Sequence, residues 1–194
     1  MIMNKLKILN FKLKIPAQQA GFTVLESIVA IFVLSLTISG VFSAVQGGLS
    51  QTITAKDEVR AFYLAQEAIE IIRNKRDNNQ LNKIVRTPLN SWLYGISQDA
   101  SDFCYFGKVC RIDVVDLIPE YCGTSWGSCT ENLKQNPITL LYNYSTGNTT
   151  NFKREIQLEF ISTYEIAVTV RVSWTKGVLS REFKAKTHLF NWIP

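Results

Sequence analysis

The first 21 residues of this chain contain no acid, and no charge of either sign lies between Glu26 and Lys56. Histidine is nearly missing too: His188 is the only one, and no acid or nucleophile sits at motif distance from it. No phosphate-cradling glycine loop and no metal-ligand signature occurs. Asp113 and Asp116 are close in sequence, but the pattern around them predicts a strand, where odd spacing puts them on opposite faces. These absences argue against an enzyme, and no catalytic residue, cofactor or metal is assigned.

The basic excess is local. The chain has 194 residues and a formal charge of +5, but Lys5, Lys7, Lys12 and Lys14 all precede Gly21. Without those four, 17 basic residues face 16 acidic ones. That balance gives no general electrostatic case for nucleic acid. Lys83, Arg86, Lys108 and Arg111 read as solvated surface rather than as a DNA-facing patch.

Behind the lysines comes Gly-Phe-Thr-Val-Leu-Glu and then a strongly apolar run, Ser27 to Val45. About 20 helical residues cross a hydrocarbon core, so a transmembrane half is expected at about 27–46. Lysines ahead of a span keep the N-terminus cytoplasmic and send the remainder outside. The alternatives are a plain signal anchor, in which Glu26 merely snorkels, and a cleaved secretory signal. The four cysteines, Cys104, Cys110, Cys122 and Cys129, fall in the translocated part, where an even number reads as disulfides. Their spacing does not match zinc knuckles. Four cysteines allow three connectivities, and the local pairs Cys104–Cys110 and Cys122–Cys129 are the choice here.

From Lys56 the pattern is amphipathic. Phe62, Ala65, Ile69 and Ile72 recur at helical spacing, with Ala61, Leu64 and Ala68 widening the stripe. Asn74 to Gln80 is expected to end this helix, which predicts one helix over 22–76. Residues 77–136 read as irregular with cysteine loops, apart from a strand in Val109 to Leu117 paired with Phe103 to Phe106. Residues 137–194 read as antiparallel β-sheet. Ile138 to Tyr144 is apolar. In Phe152 to Ile161, Ile156, Leu158 and Phe160 face one way, and Arg154, Gln157 and Glu159 lean to the other or to its edge. Glu165 to Trp174 and Val178 to Asn191 form a hairpin around Thr175-Lys176-Gly177. Such a sheet needs a cover, and the amphipathic half-helix supplies it. The expected class is therefore α+β: a long N-terminal helix, half in the membrane, packed on a C-terminal antiparallel sheet. Trp92, Trp126, Trp174 and Trp192 read as core or rim aromatics. Asn143-Tyr-Ser and Asn148-Thr-Thr match glycosylation acceptors, as such triplets often do by chance.

A lysine-bearing leader, Gly21-Phe-Thr-Val-Leu-Glu26 and some twenty apolar residues resemble the type IV prepilins and pseudopilins. The specific match covers Gly21 to Val45. Ala-Phe-Tyr-Leu-Ala-Gln-Glu-Ala-Ile-Glu at 61–70 and the terminal hairpin resemble minor pilins more loosely. The resemblance implies residues 1–21 as a leader, with Gly21 the last residue before the cut made by prepilin peptidase. Phe22 would be the new, N-methylated terminus, and Glu26 the carboxylate that attracts a neighbouring subunit's terminal amine. It implies a structural subunit of a type IV pilus or a type II secretion filament, single-pass in the inner membrane before assembly. Its partners would be other pilin subunits, the peptidase, an inner-membrane assembly platform and membrane lipid. The chain departs from the family pattern in having no proline in the second half of the span. Gly40 and Gly47-Gly48 are its only weak points there.

Overall fold

A computed structural model describes residue 21 and residues 23–85 and 91–192. The leader up to Ala20, Phe22, Arg86 and Thr87-Pro88 lie outside the described residues. The chain divides into two compact units, Met1–Ser50 and Gln51–Pro194. One helix, α1 (Val24–Val85), contributes to both.

In the first unit the described part of α1 is apolar and exposed throughout. Its few hydroxyls close onto their own helix. Ser35 Oγ donates to the Ile31 carbonyl and Ser39 Oγ to that of Ser35, both at 2.8 Å, and Thr37 Oγ1 donates to Leu34 at 2.8 Å. These hydroxyls are thus satisfied within the helix, as a bilayer requires. The helix continues through Gly40, Gly47 and Gly48. Length and composition make it a candidate membrane-spanning helix near the N-terminus.

In the second unit the remainder of α1 lies on a five-stranded antiparallel sheet. The strands are β1 (Val109–Ile112), β2 (Pro119–Gly123), β6 (Phe152–Ser162), β7 (Glu165–Lys176) and β8 (Leu179–Phe190), in the order β2-β1-β6-β7-β8. A small second sheet, β4-β3-β5, joins β3 (Lys134–Gln135), β4 (Tyr142–Asn143) and β5 (Asn148–Thr149). Where β4 returns to β5, Gly147 passes so close to Gln135 that a Cβ would meet its carbonyl oxygen at 2.3 Å, and its φ is +120°.

Period-2 alternation aims Ile166, Val168, Val170 and Val172 of β7 at the helix, and all four are fully buried. They meet Ala61, Leu64, Ala65, Ala68, Ile69 and Ile72 of α1 in one core. Phe62 sits at its rim, edge-on to Phe183 at 5.8 Å. Thr169, Arg171 and Ser173 take the other face. The hairpin between β7 and β8 turns in two residues, Gly177 and Val178. Gly177 at φ +62° suits the first position of such a turn.

Four expectations are corrected. α1 does not end near residue 76 but runs to Val85. Asparagine is a weak helix former, yet tertiary bonds hold this stretch helical. Arg76 donates to the Phe190 carbonyl at 3.0 Å, Asn79 to the carbonyls of Trp92 and Tyr94 at 3.1 and 2.9 Å, and Gln80 to the Asn191 side chain. Residues 77–136 hold three strands, and β1 pairs with β2 and β6 rather than with Phe103 to Phe106. The Cys104–Cys110 bond closes that segment into tight turns instead. The strand around Ile138 shrinks to Tyr142–Asn143, because the Asn136 side chain caps a turn by accepting from Ile138 N and Thr139 N. Arg154 points inward with Ile156 and Leu158, whereas Phe160 is exposed.

The structure joins Cys104 to Cys110 and Cys122 to Cys129. The first pair is fully buried in the core, while Cys122 lies half-buried on the edge strand β2. Titration with a thiol reductant followed by alkylation and mass spectrometry is therefore expected to label Cys122 and Cys129 first. Labelling of Cys104 and Cys110 at the same or lower reductant would contradict that order. Each loop spans so few residues that its closure contributes roughly 2 kcal/mol in the chain-entropy account.

Candidate assembly site

The candidate site is the start of α1. Thr23 precedes the first helical residue, and its Oγ1 accepts from Glu26 N at 3.2 Å, while its carbonyl accepts from Ser27 N at 3.1 Å. Thr23 is thus the N-cap and Glu26 the third helical residue. Thr-Val-Leu-Glu has capping-box spacing, legible in the sequence though not read from it. A carboxylate in the first turn also suits the positive end of the helix dipole. Gly21 and Glu26 are exposed, and the Glu26 carboxylate has no partner among the described residues. Phe22, the expected new terminus, lies outside the described residues. The apolar side chains that follow, from Val24 through Leu49, are exposed.

The second unit organises itself around two buried charges that the sequence reading missed. Arg154 is 0% exposed. Its guanidinium donates to Glu67 Oε2 at 2.5 Å and to the carbonyls of Leu64 at 3.3 Å and Ile112 at 2.9 Å. One side chain therefore binds helix, β6 and β1 together. Glu155, its neighbour on the opposite face, is 1% exposed and accepts from Gly127 N at 2.7 Å and Cys129 N at 3.1 Å. It anchors the Cys122–Cys129 loop to the back of the sheet. Strict alternation from Ile156 and Leu158 was the signal that places Arg154 inside.

Residues raised as candidates elsewhere have structural roles. Asp113 follows β1 in a turn, not a strand, and is buried accepting from Tyr144 N at 2.9 Å and Val115 N at 3.0 Å. His188 does find an acid, Glu165, at 2.6 Å across β7 and β8 on the solvent side of the sheet. Arg111 forms ion pairs with Glu120 and Glu131, both at 2.6 Å, over the Tyr144 ring. Burial pulls its guanidinium down, and those two carboxylates more than reverse this, so it is held above its ordinary value. Burial pushes the Tyr144 phenol up. Lys108 donates to the carbonyls of Ala100 and Asp102. Lys108 and Arg111 are thus engaged within the fold, while Arg86 lies outside the described residues. Asn143 is 2% exposed and its side chain accepts from Ser145 N and Thr146 N, which removes it as a glycan acceptor; Asn148 is exposed. No cluster of three or more potential metal ligands occurs among the described residues.

Fold and site together define an α+β protein with, among the described residues, one candidate membrane-spanning helix, α1, whose C-terminal part packs on an antiparallel sheet stapled by two disulfides. No family model, curated protein or solved structure matches the chain.

Proposed function

We propose that the chain is a structural subunit, a minor pilin or pseudopilin, of a type IV pilus or related secretion filament. The observation that carries this reading is Glu26, a carboxylate in the first turn of a helix whose next 29 residues hold no charge and whose apolar side chains are exposed. An isolated charge costs about 2.5–3.5 kcal/mol at the centre of a span even on lenient scales, and a carboxylate drawn into lipid at its edge still needs a counter-charge. An ammonium created at Phe22 supplies a counter-charge. Four residues allow pairing within one helix, and assembly exchanges that pair for one between subunits. Buried charges are best attested as setting register in this way. Prepilin peptidase would cut after Gly21, leaving a single-pass protein with its second unit outside, ready for an assembly platform. Intact-mass and N-terminal peptide analysis of the membrane-purified protein tests this. The expected terminus is methylated Phe22, and a retained leader or a different first residue would sink the proposal.

A second reading, a membrane-anchored domain that never polymerises, is favoured by one observation. Thr23 Oγ1 accepts from Glu26 N at the start of α1, and a carboxylate in that first turn suits the positive end of the helix dipole without any neighbouring subunit.

A further inference from the structure

We infer that a groove along the C-terminal part of α1 binds an extended peptide segment of a partner protein. A row of asparagines holds the peptide backbone, and the cavity beside the row takes its aliphatic side chains. The cavity has a volume of about 450 Å³, within the range of small-ligand sites, roughly 300–1,000 Å³. Its apolar lining is aliphatic: Ile71 and Ile72 of α1, Ile112 at the end of β1, Leu117, and Pro119 at the start of β2. Asn74, Asn78 and Asn82 line it along the helix, and all three are exposed.

These three asparagines do not hold the helix in place. Arg76, Asn79 and Gln80 do so, through bonds to Phe190, Trp92, Tyr94 and Asn191. Asn74, Asn78 and Asn82 stand four residues apart on one face, and each is a weaker helix former than alanine. Asn78 Nδ2 donates to Asn74 Oδ1 at 2.6 Å, which orders the row and leaves the Asn78 oxygen and the Asn74 nitrogen for a ligand. Four helical residues rise about 6.0 Å, and two residues of a strand about 6.6 Å. Successive amides therefore meet every second residue of an extended chain. Each offers both the donor and the acceptor that a peptide unit needs. In the same register every second side chain of the peptide turns toward the cavity. Glu67 and Glu70, which also line it, are already paired with Arg154 and Arg73. Leu117 is a second, independent sign. Its φ is +58°, a left-handed conformation that glycine or asparagine adopts more readily. A leucine held there at 48% exposure gains little from the core, and it lines the cavity.

The groove lies wholly within the second unit and is independent of the filament reading. Full-length protein in phosphatidylcholine nanodiscs is panned against a displayed library of linear heptapeptides, with empty nanodiscs as counter-selection. The most enriched peptide is synthesised as a fluorescent probe. The expected probe carries aliphatic residues at alternate positions. Its affinity should fall roughly tenfold or more in N74A/N78A/N82A and in L117N. Alanine is the better helix former at the three helical positions, and asparagine suits φ +58° at 117, so both variants keep the fold. N-methylation of alternate backbone amides in the probe should abolish binding. No enrichment over empty nanodiscs overturns the inference, and so does a probe bound equally well by either variant. A probe that keeps its affinity after N-methylation docks through side chains alone, which overturns the backbone pairing.

Discussion

Replacing Glu26 by Gln is expected to cut incorporation into filaments about a hundredfold while leaving membrane insertion unchanged. The amide preserves what the helix needs. A glutamine at this position completes a capping box as well as a glutamate does, and Thr23 Oγ1 still accepts from the residue-26 backbone N–H. What disappears is the charge. A Phe22 ammonium brought into a subunit interface in lipid is then unpaired, and removing one member of a buried pair costs about 3 kcal/mol or more. At 1.4 kcal/mol per factor of ten this is the hundredfold stated above. Glu26→Ala removes the charge and the polar side chain together, while the bond from the residue-26 backbone N–H to Thr23 Oγ1 remains. The readout is the fraction of tagged subunit in sheared filaments against the fraction resisting carbonate extraction from membranes. Pairing predicts that Gln and Ala fail alike. If Gln assembles normally and only Ala fails, Glu26 serves its own helix and the pairing account is wrong.

Arg154→Ala is expected to be the most damaging single change in the second unit, at about 3 kcal/mol, within the range for breaking a buried ion pair. The guanidinium is fully buried and makes three bonds, two to α1 and one to β1. Alanine leaves the carbonyls of Leu64 and Ile112 without this donor, strands the partly buried Glu67 carboxylate, and opens a cavity. Thermal unfolding of the full chain in detergent, followed by circular dichroism, should fall by roughly 6–12 °C, taking 2–4 °C per kcal/mol for a chain of this size. Arg154→Lys should recover little, because an ammonium cannot fork toward a carboxylate and two carbonyls at once. Pairing Arg154→Met with Glu67→Met should recover most of the loss, because apolar groups of similar volume often replace a buried pair at no net cost. An unchanged melting temperature in Arg154→Ala would show that the three bonds add nothing over solvent.

The elements legible in the sequence are those fixed by period. The charge-free run, the stripe from Ala61 to Ile72 and the alternation through β7 each repeat at the spacing of the structure they form, and each lies where expected. The misses lie where distant partners decide. Asn74 to Gln80 looks like a helix end because local propensity says so, and it stays helical because Trp92, Tyr94, Phe190 and Asn191 receive its side chains. The partner of β1 lies beyond a disulfide-closed loop, where no local rule reaches. Arg154 was assigned to the wrong face because residue type was weighed above parity. In a β-strand parity is geometric, while a charge can be accommodated if a carboxylate waits opposite. At the candidate site, Gly21, Phe22 and Glu26 are motif-based expectations, of which the structure describes Gly21 and Glu26 at the start of α1. Thr23 was passed over although its spacing to Glu26 was in plain view.

The bonds that hold α1 against β8 and the residues flanking it fall at two levels. Thr54 and Glu58 of the helix meet Lys176 and Arg181 near the start of the strand, and Arg76 and Gln80 meet Phe190 and Asn191 at its end. Helix and strand run in the same direction between them, with an apolar seam along the middle. A tensile load applied along the helix is therefore shared by both sets of bonds at once, in shear, and cannot peel them one after another. The second unit is fastened to its helix in the geometry that yields last.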